Sequence, residues 1–301
     1  MVLGLTTAYL VVEIVGGLLT GSLALLADAG HMFTDALGLT LALVAVRVAQ
    51  RPATLSKTYG FYRAEVLAAA VNALVLLGIG SFILFEAWER FHQPHPVDSL
   101  PMLAVAAGGL VVNLLGARAL HAGAEHSLNV RGAYLEVLAD ALGSLGAIVA
   151  AVVIFATGWT PIDALVSALI GLLILPRTWS LLRSALDVLL EATPAHIDVD
   201  AVSTAMAEVP GVASVHDLHV WTITSGFVAM SGHVSARERP SGDVLHDLQD
   251  LLRERFGIEH VTLQVESDDH VDEGACCVAD PRCLPQGFAA GTKRGGRRDA
   301  R

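Results

Sequence analysis

His31 and Asp35 stand four residues apart, and so do Glu136 and Asp140. On a helix that spacing stacks both members of a pair on one face. Two helices meeting at those faces would offer one imidazole and three carboxylates, and four N/O donors in a tetrahedron suit Zn²⁺. The plainer alternative is a pair of hydrogen-bonded clusters that only hold helices together. Asp28, one turn before His31, could join the same face, but a helix-start or loop-facing role is the expectation for it.

The elements around these residues are apolar. Of the 301 residues 53% are hydrophobic and 16% charged, with a mean hydropathy of +0.57, whereas soluble domains carry about 25% charged residues. Runs of roughly 20 residues cross about 30 Å of hydrocarbon. Such runs occupy 1–20, 22–46, 64–88, 100–120, 132–157 and 162–184, which predicts six membrane helices. Ionisable groups within such spans are costly and are read first as pathway residues. Eight of the nine Lys and Arg before residue 191 cluster at the ends of helices 2/3, 4/5 and 6; only Arg90 lies near a loop on the other side. The positive-inside rule then puts both termini in the cytosol. The segment His31-Met-Phe-Thr-Asp35-Ala-Leu-Gly is echoed by Glu136-Val-Leu-Ala-Asp140-Ala-Leu-Gly three spans later. An inverted-topology repeat would leave that trace, and so could chance in a chain this rich in Ala, Leu and Gly.

From Glu191 onward the pattern changes to a helix at 198–208, strands at 212–223 and 226–235, a helix at 242–256 and a strand at 260–266. The predicted fold is therefore a six-helix all-α membrane bundle over 1–188 followed by a small αββαβ domain of α+β, ferredoxin-like class over 189–267. The remainder, 268–301, has the composition of a disordered tail. Acids number 12 against 9 bases before Glu191 and 18 against 10 from it onward, for a net charge of −11 overall. That acidity excludes a nucleic-acid partner and suits a cation. Cys276, Cys277 and Cys283 all lie in the tail, so no disulfide framework is expected, and ligation of a soft metal by Cys276 and Cys277 is the lesser possibility. No cleavable signal peptide is evident, since the first apolar run lacks a basic start.

Three segments together resemble the cation diffusion facilitator family, closest to its bacterial cobalt, zinc and cadmium resistance branch. They are Gly17-Leu-Leu-Thr-Gly-Ser-Leu-Ala-Leu-Leu-Ala-Asp28-Ala-Gly-His31-Met-Phe-Thr-Asp35, Ser127-Leu-Asn-Val-Arg-Gly-Ala-Tyr-Leu-Glu136-Val-Leu-Ala-Asp140-Ala-Leu-Gly-Ser, and Val215-His216-Asp-Leu-His-Val-Trp221. The resemblance covers residues 1 to 267. It implies a homodimer of six-helix subunits in a bacterial cytoplasmic membrane, exporting divalent metal from the cytosol in exchange for protons, with Zn²⁺ the foremost cargo and Cd²⁺ and Co²⁺ beside it. It implies that His31, Asp35, Glu136 and Asp140 hold the metal between helices 2 and 5. Many zinc-transporting members have His where this chain has Glu136, and a more anionic set tolerates metals beyond Zn²⁺. The family also carries a cytosolic segment before helix 1, whereas this chain starts almost inside the membrane, as a shortened reading frame would.

The resemblance further implies that His216 and His233 bind cytosolic metal with Glu266, at a position set where some members have a further His and this chain has Gln264. His246 and His260 are weaker candidates for that set, and His219 is expected on the outer polar face. The resemblance pairs Arg63 with Asp187 as a charge interlock at the dimer centre; positive-inside topology and a solvated acid explain the two residues equally well. His121 and His126 are too few for a metal-gathering loop, and the segment 57–65 has no histidine for a loop site. Two other functions compete: a membrane-anchored metal sensor, and a proton-coupled exporter of another cation. An anchor needs no four ionisable groups in the membrane, and an organic-cation exporter leaves the His/Asp pairing unexplained. An intramembrane metalloprotease lacks its His-Glu-x-x-His, so no enzyme activity is expected.

Overall fold

The computed structural model describes residues 2–124, 128–237 and 239–267. The expected disordered tail with its three cysteines, and His126, lie outside the described residues. Two compact units divide the chain between Leu186 and Asp187.

The first unit is helical: α1 (Val2–Thr20), α2 (Leu23–Ala49), α3 (Arg63–His92), α4 (Ser99–Ala124), α5 (Leu128–Thr157) and α6 (Pro161–Leu189). Among the described residues, five of these, α2 to α6, are long and apolar enough to cross a membrane; the sixth, counted over Gly4–Thr20, is apolar and shorter. Their outward faces carry exposed Leu, Val, Phe and Trp side chains such as Leu19, Phe85, Trp88 and Leu173, which a water-soluble bundle would bury. Inside, the tightest contacts are made by small residues. Ala24, Ala106, Ala147, Ala150 and Ala151 pack with Leu25 and Met102 where α2, α4 and α5 meet. Small side chains let backbones approach where no hydrophobic effect drives helices together.

One end of this unit is knotted by a buried carboxylate. Asp163, in the first turn of α6, accepts from Ser22 Oγ and from Leu23 N, both at 2.6 Å, and from Ala24 N at 3.2 Å. Ser22 itself caps α2 by accepting from Leu25 N. Exposed N–H groups at a helix start need such acceptors, and an anion there is favoured by the helix dipole. Arg90 of α3 donates to Gly21 O at 2.6 Å and Asp98 N donates to Thr20 O at 2.9 Å, so the α1/α2 turn is tied to three neighbouring elements.

The second unit contains α7 (Val199–Ala207), β1 (Val212–Thr224), β2 (Phe227–Ala236), α8 (Ser241–Phe256) and β3 (His260–Ser267), which is the predicted αββαβ order. The sheet runs β1-β2-β3, antiparallel between β1 and β2 and parallel between β2 and β3, with α8 as the crossover. Val244, Leu248 and Leu252 recur every four residues on α8 and join Val202 and Met206 of α7 and Val220, Met230 and Val234 of the sheet in one core. Asp198 caps α7 by accepting from Asp200 N and Ala201 N.

Asp163→Ala would orphan three buried donors at once. At about 1–3 kcal/mol for each buried group left unpaired, it should destabilise the first unit by at least about 2 kcal/mol and lower the midpoint of thermal unfolding of the detergent-solubilised protein, with Asp163→Asn falling between the two.

Candidate metal centre

The two i,i+4 pairs come together. His31 Nε2 lies 3.6 Å from Asp35 Oδ2 and 3.9 Å from Asp140 Oδ1. His31, Asp35 and Glu136 each present one ligand atom within 4.8 Å of the other two. One turn further, Ser144 Oγ donates to Asp28 Oδ2 at 3.3 Å. Along α2 the numbers fall from 35 to 31 to 28 while their neighbours on α5 rise from 136 to 140 to 144, so the two helices cross antiparallel. The echoed segments therefore run in opposite directions, as an inverted repeat requires.

Beside this cluster lies a cavity of about 290 Å³, lined by Thr6 and Thr7 of α1, by Leu120 of α4 and by Asp35, Glu136 and Asp140. Its lining comes from the start of α1, the end of α4, the middle of α2 and the first half of α5. The cavity thus occupies the half of the bundle that holds the amino terminus and the basic residues Arg47, Arg51, Arg118 and Arg131. An imidazole and three carboxylates are N and O donors for a divalent cation, and crowding the acids into a low-dielectric space favours a cation among them. Arg177 of α6 stands 3.9 Å from Glu136 Oε1 and supplies part of that positive charge.

A second cluster forms on the sheet of the other unit. His216 on β1 pairs with His233 on β2, and β2 carries Gln264 and Glu266 of β3 alongside in parallel register. Glu266 lies 2.8 Å from His233 Nδ1 and 3.5 Å from His216 Nε2, and the three offer ligand atoms within 4.8 Å of one another. Gln264 Nε2 donates to Glu266 at 2.9 Å, so this amide orients a member of the cluster. One extra residue on β1 between His216 and His219 makes a bulge, with Asp217 at a φ of 50°. It turns His219 outward onto Asp217, at 3.0 Å, and leaves His216 in the cluster. His246 on α8 faces Asp250, and His260 packs edge-on against Phe227; neither is brought to the cluster.

The model for the cation efflux transmembrane domain matches residues 1–190, and that for the cation efflux protein cytoplasmic domain matches 194–268. The chain belongs to the cation efflux family. Its members are membrane transporters, and this one is an integral membrane protein. It is similar to the metal cation efflux system protein CzcD of Cupriavidus metallidurans, 47% identical over 88% of this chain and 84% of that one. It is likewise similar to the zinc transporter ZitB of Escherichia coli, 45% identical over 90% and 89%. The cadmium, cobalt and zinc/H(+)-K(+) antiporter of Bacillus subtilis is 41% identical over 89% and 88%. A solved metal-bound C-terminal domain of the CzcD transporter is 39% identical over 23% of this chain and 99% of its own, with a TM-score of 0.22.

Besides leaving His246 and His260 away from the cluster, the structure of this cation efflux protein places Asp28 otherwise than expected and adds three residues. Asp28 is no loop-facing acid; it is buried against Ser144, because α2 starts five residues earlier and crosses α5 there. Glu13 of α1 is fully buried and Arg177 sits beside Glu136, and neither was singled out by spacing. Asp163, at the start of α6, is the third, with no spaced partner in the sequence. Glu13 carries a signal in the sequence, an acid inside an apolar run; Arg177 enters the sequence reading only as one of the basic residues that set the topology. Arg63 opens α3 and Asp187 lies in the last turn of α6.

Calorimetric titration of the full chain with Zn²⁺ should lose one binding event in Asp35→Ala and a different one in His216→Ala, each by more than the about 10–100-fold that an outer-shell loss costs. Arg177→Ala, which removes a competing cation beside Glu136, should tighten the first event; weaker binding would contradict the competition.

Proposed function

We propose that this protein exports divalent metal ions from the cytosol of a bacterium as a metal/proton antiporter, with Zn²⁺ the preferred cargo and Cd²⁺ and Co²⁺ also carried. The observation that supports this reading most directly is the convergence of His31, Asp35 and Glu136, with Asp140 adjoining, beside a cavity among apolar helices. The names of its relatives, among them zinc transporters and a cadmium, cobalt and zinc antiporter, agree with the cargo. In this reading six helices span the cytoplasmic membrane, both termini and the αββαβ unit are cytosolic, and two copies pair. The Arg63 and Asp187 interlock belongs to that paired form.

The chemistry follows from what the ligands require. An imidazole and carboxylates bind metal only when deprotonated, so metal entering from the cytosolic cavity displaces protons. Once the helices rock to open the centre to the other side, protons arriving there compete for the same atoms and release the metal. His216, His233 and Glu266 form a separate cytosolic site that senses or gathers metal ahead of transport.

Everted vesicles present the cytosolic face outward. Acidifying the outside protonates the loading side, so ⁶⁵Zn uptake should fall as the outside pH drops from about 8 to about 5.5, the range in which imidazoles change charge. An acid interior should speed uptake by favouring release. A rate indifferent to both gradients would overturn the antiport. If His31→Ala leaves zinc tolerance intact while His216→Ala abolishes it, the protein is a sensor and not an exporter.

A further inference from the structure

Beyond the metal centre, the membrane unit buries a second group of oxygens. Glu13 of α1 is 0% exposed, and both of its carboxylate oxygens lack a hydrogen-bond partner. Asn113 Oδ1 of α4 and Asp140 Oδ1 of α5 are buried and without a hydrogen bond in the same way. Asn113 Nδ2 points to Ser144 Oγ at 3.4 Å, and Ser144 donates in turn to Asp28. The carboxylates of Glu13, Asp28 and Asp140 are close enough to act on one another electrostatically.

Two glycines face these groups. A Cβ on Gly109 of α4 would lie 2.8 Å from Glu13 Oε1 and 3.1 Å from Ser144 Oγ, and a Cβ on Gly143 of α5 would lie 2.9 Å from Asp28 Oδ1. A side chain at either glycine would press on these carboxylates and displace them from their present positions. Glu13 and Ser144 face the same point from different helices.

Every hydrogen-bond vacancy in this group is an acceptor. A buried network short only of donors is completed either by protons on its carboxyls or by a cation among its oxygens, and inside a membrane leaving it open is expensive. The position completes the picture. Going from the cavity lining to this group, the residues shift from Thr6 and Thr7 to Glu13, from Asp35 to Asp28, from Leu120 to Asn113 and from Glu136 to Ser144. Each shift is about two turns in the same direction, roughly 10 Å along the bundle.

We propose that Glu13, Asp28 and Asn113, with Asp140 shared between the two sites, form a second cation station that receives the metal from the His31 centre on its way out. Its donors are all oxygens, so it prefers a harder divalent ion than the histidine-bearing centre does. The role as an exit step rests on the export reading; the binding itself does not.

The test uses Mn²⁺, a hard ion visible by electron paramagnetic resonance, on the full chain in lipid nanodiscs with Asp35→Ala and His216→Ala in place to silence the other two clusters. One bound Mn²⁺ should remain. Adding Glu13→Gln should weaken it at least tenfold, and Asn113→Ala, which changes no charge, should weaken it less. Glu13→Gln alone, in the otherwise native chain, should keep Zn²⁺ binding at the His31 centre, which reports its fold, while lowering the maximal transport rate without raising the half-saturating zinc concentration. Absence of bound Mn²⁺ in the silenced chain, or binding indifferent to both Glu13→Gln and Asn113→Ala, overturns the station. A chain that binds Mn²⁺ through Glu13 yet moves no metal keeps the station and removes the export reading.

Discussion

The antiparallel crossing of α2 and α5 is the contact on which the rest of the membrane unit depends. It fixes which residues meet at each turn, from Asp35 and Glu136 through His31 and Asp140 to Asp28 and Ser144. Past these polar rungs the same two helices close on alanines at 24, 147, 150 and 151, so the polar stretch is bounded by tightly packed small residues. A crossing made by large side chains would hold the helices too far apart for an imidazole and three carboxylates to share one ion. Small residues are thus a requirement of the chemistry as much as of the packing.

That arrangement has a cost, met by fixing the helix ends. Acids clustered between apolar helices repel one another, and nothing in hydrocarbon screens them. Asp163 offsets part of this by joining the starts of α2 and α6 through three hydrogen bonds, and Arg90 ties α3 to the turn before α2. At the other end of the bundle the cavity reaches the centre between α1, α2, α4 and α5. Hydrogen bonds tie one end, and the cavity lies toward the other, an asymmetry that would suit the proposed exporter.

The elements were legible because their periodicities were strong. The αββαβ boundaries fall within one or two residues of those read from alternation and amphipathic spacing. Membrane helices were placed by hydropathy, which marks hydrocarbon and not helix, so α5 begins at Leu128, ahead of the expected 132, with Arg131 inside it, and α3 continues to His92. The i,i+4 pairs were legible because a helix face is a local property. Glu13 was legible only as an acid inside an apolar run; its partners were not, since they come from α4 and α5, about 100 to 130 residues away. Likewise Glu266 joins His216 and His233 through the parallel register of β2 and β3, and His246, equally a histidine, faces elsewhere; no spacing within one element separates the two cases.

The two intramembrane groups differ in one respect that bears on direction. The centre nearest the cavity carries an imidazole, a donor that binds zinc-like ions well, while the group two turns beyond offers oxygen alone. Under the proposed export, a metal of borderline softness would be held more firmly where it loads and less firmly where it leaves. An exporter needs that order, because a second site as tight as the first would retain the ion instead of passing it on. Asp140 is common to both, with its Oδ1 at 3.9 Å from His31 and otherwise without a hydrogen bond. In the proposed passage, a shared carboxylate would let the ion exchange one ligand at a time, never fully bare in a medium where a bare divalent charge could not exist.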